Sequence, residues 1–394
     1  MSKDRILTKN FLFLTIANLL MAVAFYFMTP VMALFMVDIF GSGKDEIGMV
    51  MFVFTIAAIL MRPFSGYLLD TMNRYTVYVL SFILFSLAFL GYPIAFSFAF
   101  LLVLRFLHGL TWGAINTAGY TLAVDLISER RRGEGLGIFG LFMTVAMAIG
   151  PMMAMSISGN WGYDVLFYSA VGFCMLGFIF VMLLKTPNIK GVRKALNLKS
   201  MFERKTLPVA FNIMLTQIPY GGIISFVALY GRGIGVTNSG TFFLILSICI
   251  IVSRILSGRI FDRFGPRNIT FVGLILVMIG FLLIGYFATP VGFHLAAIVL
   301  GFGFGVIPPT FQAMANRNIS PERRGAANST YLMFFDSGVG LGMLFFGALI
   351  DVVGYAGTFY LSAAIQLLAL IVFFTVTLPR YRRENEISLH YSSK

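Results

Sequence analysis

Hydrophobic runs of about 20 residues, bounded by short polar stretches, recur along the chain from Phe11 to Leu378. Wound as a helix rising about 1.5 Å per residue, one such run crosses the roughly 30 Å hydrocarbon core of a bilayer. The apolar blocks place spans at 11–37, 47–69, 76–96, 98–122, 136–158, 163–185, 208–230, 239–261, 268–288, 291–314, 325–350 and 355–378. Composition leaves no soluble alternative: 59% of the residues are hydrophobic and 11% charged, against about 25% charged in an ordinary soluble domain. The expected fold is an all-α membrane protein of twelve transmembrane helices, with lipid as its solvent.

The net charge of +13 invites a nucleic-acid reading, but the basic residues sit between spans, at alternate loops. The N-terminus, Arg74, Arg130 to Arg132, the 185–205 stretch, Arg263 and Arg267, Arg323 and Arg324, and Arg380 to Arg383 all fall on one side. The opposite loops carry Lys44 and Arg232. Cytoplasmic loops are enriched in Lys and Arg, so the basic side is expected to face the cytoplasm, with both termini there, in an inner membrane. The lipid bilayer is thus the partner implied, and nucleic acid is not. Cys174 and Cys249 both fall inside apolar spans, which argues for packing and against a disulfide framework. Lys3, Arg5 and Lys9 before an apolar stretch resemble a secretory signal, but the run continues to Val37. It is read as the first span.

The chain repeats itself at one offset of 192 residues. Arg62, Gly66 and Asp70 map to Arg254, Gly258 and Asp262 (62 + 192 = 254). Arg131-Arg132-Gly133 maps to Arg323-Arg324-Gly325, Gly162-Tyr163 to Gly354-Tyr355, Phe167-Tyr168 to Phe359-Tyr360, and Pro187 to Pro379. Six spans per copy is an even number, so both copies share one topology, the parallel repeat about the membrane normal. The expected organisation is an N-terminal six-helix bundle at 1–185, a basic linker at 186–207, and a C-terminal six-helix bundle with a short tail at 208–394.

Gly66-Tyr67-Leu68-Leu69-Asp70-Thr71-Met72-Asn73-Arg74 follows the second span, and Gly258 to Arg267 follows the eighth. Glycine admits close helix approach, and an Asp at a helix boundary can accept bonds from free N–H groups and from Arg, a latch able to form and break. This stretch resembles the signature of the major facilitator superfamily between helices 2 and 3. Asn73 stands where that family prefers Gly, and is expected to adopt the left-handed conformation of the turn. Asp125 is expected in the same charge network, with Arg62 or Arg74.

Arg105, His108, Trp112 and Asn116 are spaced three, four and four residues apart in the fourth span, which places them on one helical face. An Arg that deep needs compensation, so the face is expected to line a wet cavity. Arg105 with Gly109 and Gly113 also looks like the superfamily's helix-4 motif, and the resemblance implies proton transfer there, with His108 available to join. Ala146 to Met152, including Gly150-Pro151, resembles the helix-5 motif of the exporter branch, without its trailing Gly-Gly. Pro151 is expected to kink that helix into a gate. Gly338, Gly340, Gly342 and Gly347 suggest a close-packed helix between the two halves.

Asp336, counted in from Gly325, falls near the membrane midplane. Its counterpart in the first copy is Thr144 (336 − 192), so the repeat does not demand the charge. It is expected to bind a proton or a substrate cation, or else to be a static partner to Arg105 or another cavity group. Asn18, Phe25, Tyr26, Asn212, Gln217, Tyr220, Gln312 and Asn316 are further cavity candidates, with helix-packing bonds as the competing role.

Together these readings predict a secondary transporter working by alternating access, with proton-coupled efflux of a small organic molecule as the leading function. A uniporter or proton symporter for a sugar, organic acid or metallophore is the alternative. A lipid scramblase and a membrane-embedded enzyme are remote, since no metalloprotease, nucleophile-elbow or phosphate-loop motif is present. No cofactor or metal is expected, and the resemblance suggests a monomer.

Overall fold

The computed structural model describes residues 7–128, 131–186, 202–317, 319 and 324–383, without the side chains of 132–134, 256–264, 324 and 325. Among these residues the chain is helical throughout: α1 (Lys9–Phe40), α2 (Lys44–Thr71), α3 (Arg74–Ala88, continued by a 3-10 turn at Phe89–Gly91), α4 (Phe98–Leu126), α5 (Arg132–Met182), α6 (Leu207–Gly233), α7 (Gly240–Phe264), α8 (Pro266–Tyr286), α9 (Pro290–Arg317) and α10 (Arg324–Val372). A π-helical turn, Phe373–Thr377, extends α10.

Helices α5 and α10 are 51 and 49 residues long, twice the length a bilayer needs. Each contains one residue outside helical geometry: Gly162 at φ 83°, ψ 177° and Gly354 at φ 71°, ψ 175°. Side chains rarely tolerate this backbone, so glycine marks both breaks. Counting α5 and α10 as two segments each makes twelve. The breaks are 192 residues apart (354 − 162), so the repeated Gly-Tyr is a repeated chain reversal.

Local chemistry sets the other boundaries. Thr8 and Ser97 cap α1 and α4 by accepting from the N–H of Phe11 and Phe100, each at 3.2 Å. Gly41, at φ 62°, closes α1 with N–H bonds back to its last carbonyls. Asn73 departs from expectation. It sits at φ −65°, ψ 121° and caps α3, its side chain accepting from the Thr76 N–H at 3.2 Å. The first-copy turn therefore needs no left-handed residue, because an N-cap takes extended geometry. Its counterpart Gly265 takes φ 70° and offers no side-chain cap.

The chain divides into two compact units. The first comprises Met1–Gly43, Met49–Leu196 and Asn238–Leu244, and the second Lys44–Gly48, Asn197–Thr237 and Ile245–Lys394. In the first, the second half of α5 lies along α1, with Tyr163 and Phe167 edge-on to Phe35 at ring separations of 5.3 and 5.2 Å. In the second, Tyr355 and Phe359 meet Tyr230 of α6 at 5.3 and 5.0 Å. Tyr163 and Phe167 are the repeat partners of Tyr355 and Phe359, so each copy folds its last segment onto its first.

A second repeated contact runs backbone to backbone. A Cβ on Gly109 would fall onto the Phe54 carbonyl oxygen and 2.9 Å from the Ala57 Cβ, and one on Gly113 onto the Ala58 carbonyl, so α4 lies directly against α2. In the second unit a Cβ on Gly301 would come within 2.6 Å of the Leu246 carbonyl oxygen and the Cys249 Cβ, and one on Gly305 within 2.8 Å of the Ile250 carbonyl. All five positions are offset by 192 (109 + 192 = 301; 54 + 192 = 246). Paired small residues four apart let membrane helices touch along their backbones. Cys249 takes part as packing.

Gly338 and Gly342 have a different task from the one expected. Their Cβ positions fall on the carbonyls of Met214 and Ile218, so they seat α10 against α6 inside the second unit. Gly66 also differs: nothing lies within 4 Å of its Cβ position, so it mediates no close helix approach.

Many of the remaining apolar side chains are exposed, among them Phe96 (81%), Val352 (78%) and Val291 (69%). Apolar surface on this scale is expected only against lipid. Nine helices among the described residues are long and apolar enough to span a bilayer, α5 and α10 each counted once.

Candidate functional site

The helix α4 carries the predicted polar face, and the structure encloses its first two members rather than wetting them. Arg105 is 4% exposed and His108 fully buried. The Arg105 guanidinium stands 4.3 Å over the Phe54 ring of α2. Its Nη1 donates to the Tyr92 hydroxyl at 3.4 Å, and its Nη2 lies 3.5 Å from the Met51 sulfur. No carboxylate contacts it among the described residues. An aromatic face and a polarizable thioether supply the compensation that a water-filled cavity was expected to give.

Tyr92 joins the two residues. Its hydroxyl lies 2.8 Å from His108 Nδ1. With Arg105 donating to that oxygen, the hydroxyl proton can point at Nδ1, and a neutral His108 then carries its own proton on Nε2. Neither His108 Nε2 nor Arg105 Nε meets a hydrogen-bond partner. The imidazole is boxed by aromatic rings, Phe85 at 4.6 Å, Phe89 at 4.7 Å and Phe54 at 5.8 Å. Tyr92 lies just after the 3-10 turn that ends the third span, and no spacing rule points to it. Only the packing of that turn against α4 reveals its part.

Removing this hydroxyl tests the arrangement. Tyr92→Phe strips one buried bond from Arg105 and one from His108, and is expected to cost about 1–3 kcal/mol of stability, read as a lower melting temperature of the purified protein. An unchanged melting temperature would mean that the hydroxyl bonds neither group.

Trp112 stacks on Phe25 of α1 at 3.6 Å and 14°. Phe25 also touches Tyr26 and Phe54, so Phe25 connects Trp112 to the ring beneath Arg105. Asn116, half-buried, donates back to the Trp112 carbonyl at 3.1 Å. Asn18 ties α1 to α3 through the Tyr78 hydroxyl at 2.9 Å, and Asn212 ties α6 to Ala369 and Thr377. Asn316 bonds the Gln312 carbonyl and Asn328. These asparagines have packing roles. In α5, helical geometry continues through Pro151, and the break falls eleven residues later at Gly162. A Cβ on Gly150 would come within 2.7 Å of the Tyr26 Cβ, so this glycine admits α1.

Asp336 is half-buried on α10. Its charge and that of Arg254, on α7, both bear on the Tyr331 hydroxyl, and the charge of Arg254 also bears on Tyr220. Tyr220 stacks edge-on to Phe304 at 4.9 Å, and Gln217 nearby in sequence is buried with Oε1 unbonded. Arg254 and Asp336 thus lie within electrostatic reach of Tyr331, and Arg254 within reach of Tyr220, all in the second unit. Sequence reading missed Tyr331 and treated Arg254 only as the repeat partner of Arg62.

At the helix ends, Arg74 Nη1 donates to Asp125 Oδ1 at 2.6 Å and its Nε to the Leu69 carbonyl at 3.4 Å. Of the two partners expected for Asp125, the structure selects Arg74. Asp70 is exposed, with no hydrogen bond or ion pair among the described residues, so the expected latch is not made by it there. Arg62 is half-buried on α2, and Arg131 stands at the start of α5. Arg267 is exposed at the start of α8. Arg132, Gly258, Asp262, Arg263, Arg323 and Arg324, and most of the linker, lie outside the described side chains. Among the described residues no group of His, Cys, Asp and Glu is placed to hold a metal.

Apolar spanning helices closed on glycines, with ionisable side chains enclosed between them, define a multi-pass membrane transport protein. The chain belongs to the Major Facilitator Superfamily, whose description matches residues 14–339 and 272–389. It is 22% identical over 354 residues to the staphylopine export protein of Staphylococcus aureus, covering 85% of this chain and 88% of that one. It is 23% identical over 361 residues to the multidrug resistance protein MdtG of Klebsiella pneumoniae, covering 87% of each. Among solved structures, a POT family transporter in complex with a thioalcohol-conjugated peptide superposes with a TM-score of 0.81 at 13% identity, over 94% of this chain and 96% of that one. The nucleoside transporter NupG gives 0.76 at 16% identity, over 93% and 98%.

Proposed function

We propose that the protein is a proton-coupled exporter of a small organic molecule, acting as a monomer in the cytoplasmic membrane with both termini in the cytoplasm. The observation that carries the reading is a guanidinium 4% exposed on a spanning helix, neutralised by no acid among the described residues. Ionisable groups inside a membrane are costly and concentrate on transport pathways. Arg105 supplies a fixed positive charge within the first bundle. Asp336, half-buried in the other unit, supplies a charge that a proton can cancel. Proton binding at Asp336 changes the field around Arg254, Tyr220 and Tyr331, and that change biases the two bundles between their inward-open and outward-open arrangements. Efflux is favoured because both relatives named above, the staphylopine exporter and MdtG, carry export or resistance in their names.

The test reconstitutes the protein in proteoliposomes with an imposed proton gradient and follows cationic drugs and staphylopine, selected first as compounds that raise the melting temperature by mass action. Accumulation opposite to the proton flow is expected. Accumulation in the direction of proton flow would make it a symporter, and transport indifferent to the gradient would make it a uniporter.

A further inference from the structure

Away from these groups, at the far end of the last span, lies a cavity of about 370 Å³ lined by Arg267, Phe374, Leu378, Pro379, Arg382 and Arg383. Among the described residues the three arginines are exposed, no acid lines the cavity, and none of the three has an ion pair or hydrogen bond. Three like charges gathered around one hollow repel each other unless an anion joins them. Their other walls are apolar. Phe374 meets Phe271 at 6.0 Å, and Phe271 is 44% and Ile371 51% exposed, so the hollow opens beside lipid-facing surface.

Two backbone features sharpen the site. Phe374 lies within the π-helical turn Phe373–Thr377, a distortion that inserts one extra residue into a helical turn and is frequent at functional sites. Arg267 stands in the first turn of α8, whose N-cap Gly265 provides no side-chain bond. The dipole of that 21-residue helix favours an anion at its N-terminus.

We infer that this hollow binds the headgroup of an anionic glycerophospholipid, its phosphate between Arg267, Arg382 and Arg383 and its acyl chain along Phe374, Leu378 and Phe271. Arginine suits the role because its fork matches phosphate oxygens in pairs. A free phosphate would use the same three arginines but leave the apolar walls exposed.

The experiment uses the full chain, delipidated in detergent and titrated with phosphatidylglycerol, phosphatidylcholine or inorganic phosphate, with bound ligand counted by native mass spectrometry. The wild type is expected to retain phosphatidylglycerol in preference to phosphatidylcholine. At about 1 kcal/mol per basic residue near a lipid surface, Arg267→Gln, Arg382→Gln and Arg383→Gln combined should weaken that binding on the order of 100-fold. All three side chains are exposed, so the variant should elute from size exclusion as the wild type does. A control removing three equally exposed charges elsewhere, Arg204→Gln, Lys205→Gln and Arg317→Gln, should leave binding nearly unchanged. Equal weakening in the control would reduce the site to diffuse attraction, and unchanged binding in the triple variant would remove it. Phosphate binding as tightly as the lipid would make it a phosphate site and overturn the lipid assignment. None of these outcomes bears on whether the protein exports.

Discussion

Asp336→Asn leaves the chain folded and inserted, and reduces proton-driven transport by on the order of 100-fold, the factor equivalent to the roughly 2.5–3.5 kcal/mol that an ionised Asp costs inside a bilayer. Asn keeps the shape and one oxygen of the side chain but cannot exchange a proton, so the energetic difference between the protonated and ionised states of the cycle disappears. Substrate equilibration without a gradient should survive better than accumulation against one. Asp336→Glu, which still titrates, should recover part of the driven transport. The measurement is the ratio of driven to passive flux in proteoliposomes. A ratio unchanged by the Asn substitution would take Asp336 out of coupling, while the export reading would then stand or fall on the direction of flux alone.

The glycine contacts predict the largest structural effects. Gly109→Ala with Gly113→Ala places two methyl groups on the Phe54 and Ala58 carbonyls. Backbone atoms cannot rotate aside as a side chain can, so α2 must move bodily. At about 1–3 kcal/mol for each overpacked position, the pair should lose about 2–6 kcal/mol. Gly301→Ala with Gly305→Ala should also lose stability in the other unit, where the Leu246 and Ile250 carbonyls and the Ser253 hydroxyl stand at the Cβ positions. The first pair should also impair transport beyond its stability cost, because moving α2 carries the Phe54 ring away from Arg105. Gly66→Ala serves as the contrast: with open space at its Cβ position, it should stabilise by up to about 1 kcal/mol through helix propensity. Thermal melting of the five single variants and the two double variants compares them directly. A Gly66→Ala loss equal to that of Gly109→Ala would refute this assignment of the close contacts.

The helical spans were legible because hydropathy is a property of each segment by itself. Lipid cannot bond a backbone, so an apolar run of sufficient length has one stable conformation within it. The repeat was also legible at Gly162 and Gly354, where the backbone demands a residue without Cβ. At Gly109, Gly113, Gly301 and Gly305 the sequence did not reveal their role. There the same offset holds, but glycine is common in membrane helices, and only the facing carbonyls show which ones mediate contact. Asn73 illustrates the opposite failure: its identity fits a left-handed turn as well as an N-cap, and the path of α3 decides between them.

The polar groups divide the same way. Spacing alone put Arg105, His108, Trp112 and Asn116 on one face of α4, since helical geometry requires it. That face read as wet because a charge in lipid must be compensated, and sequence offers no way to distinguish water from a phenyl ring, a thioether and a hydroxyl brought in from α2 and the turn after α3. Residue order thus determined the spanning helices and their duplication, both consequences of local periodicity and length. The tertiary structure decided that Tyr92 joins Arg105 to His108, that Asp125 answers Arg74, and that Arg267 meets the distant neighbours Arg382 and Arg383 around one hollow. Such pairings depend on distances between segments separated by up to a hundred residues or more, and no single helix carries them.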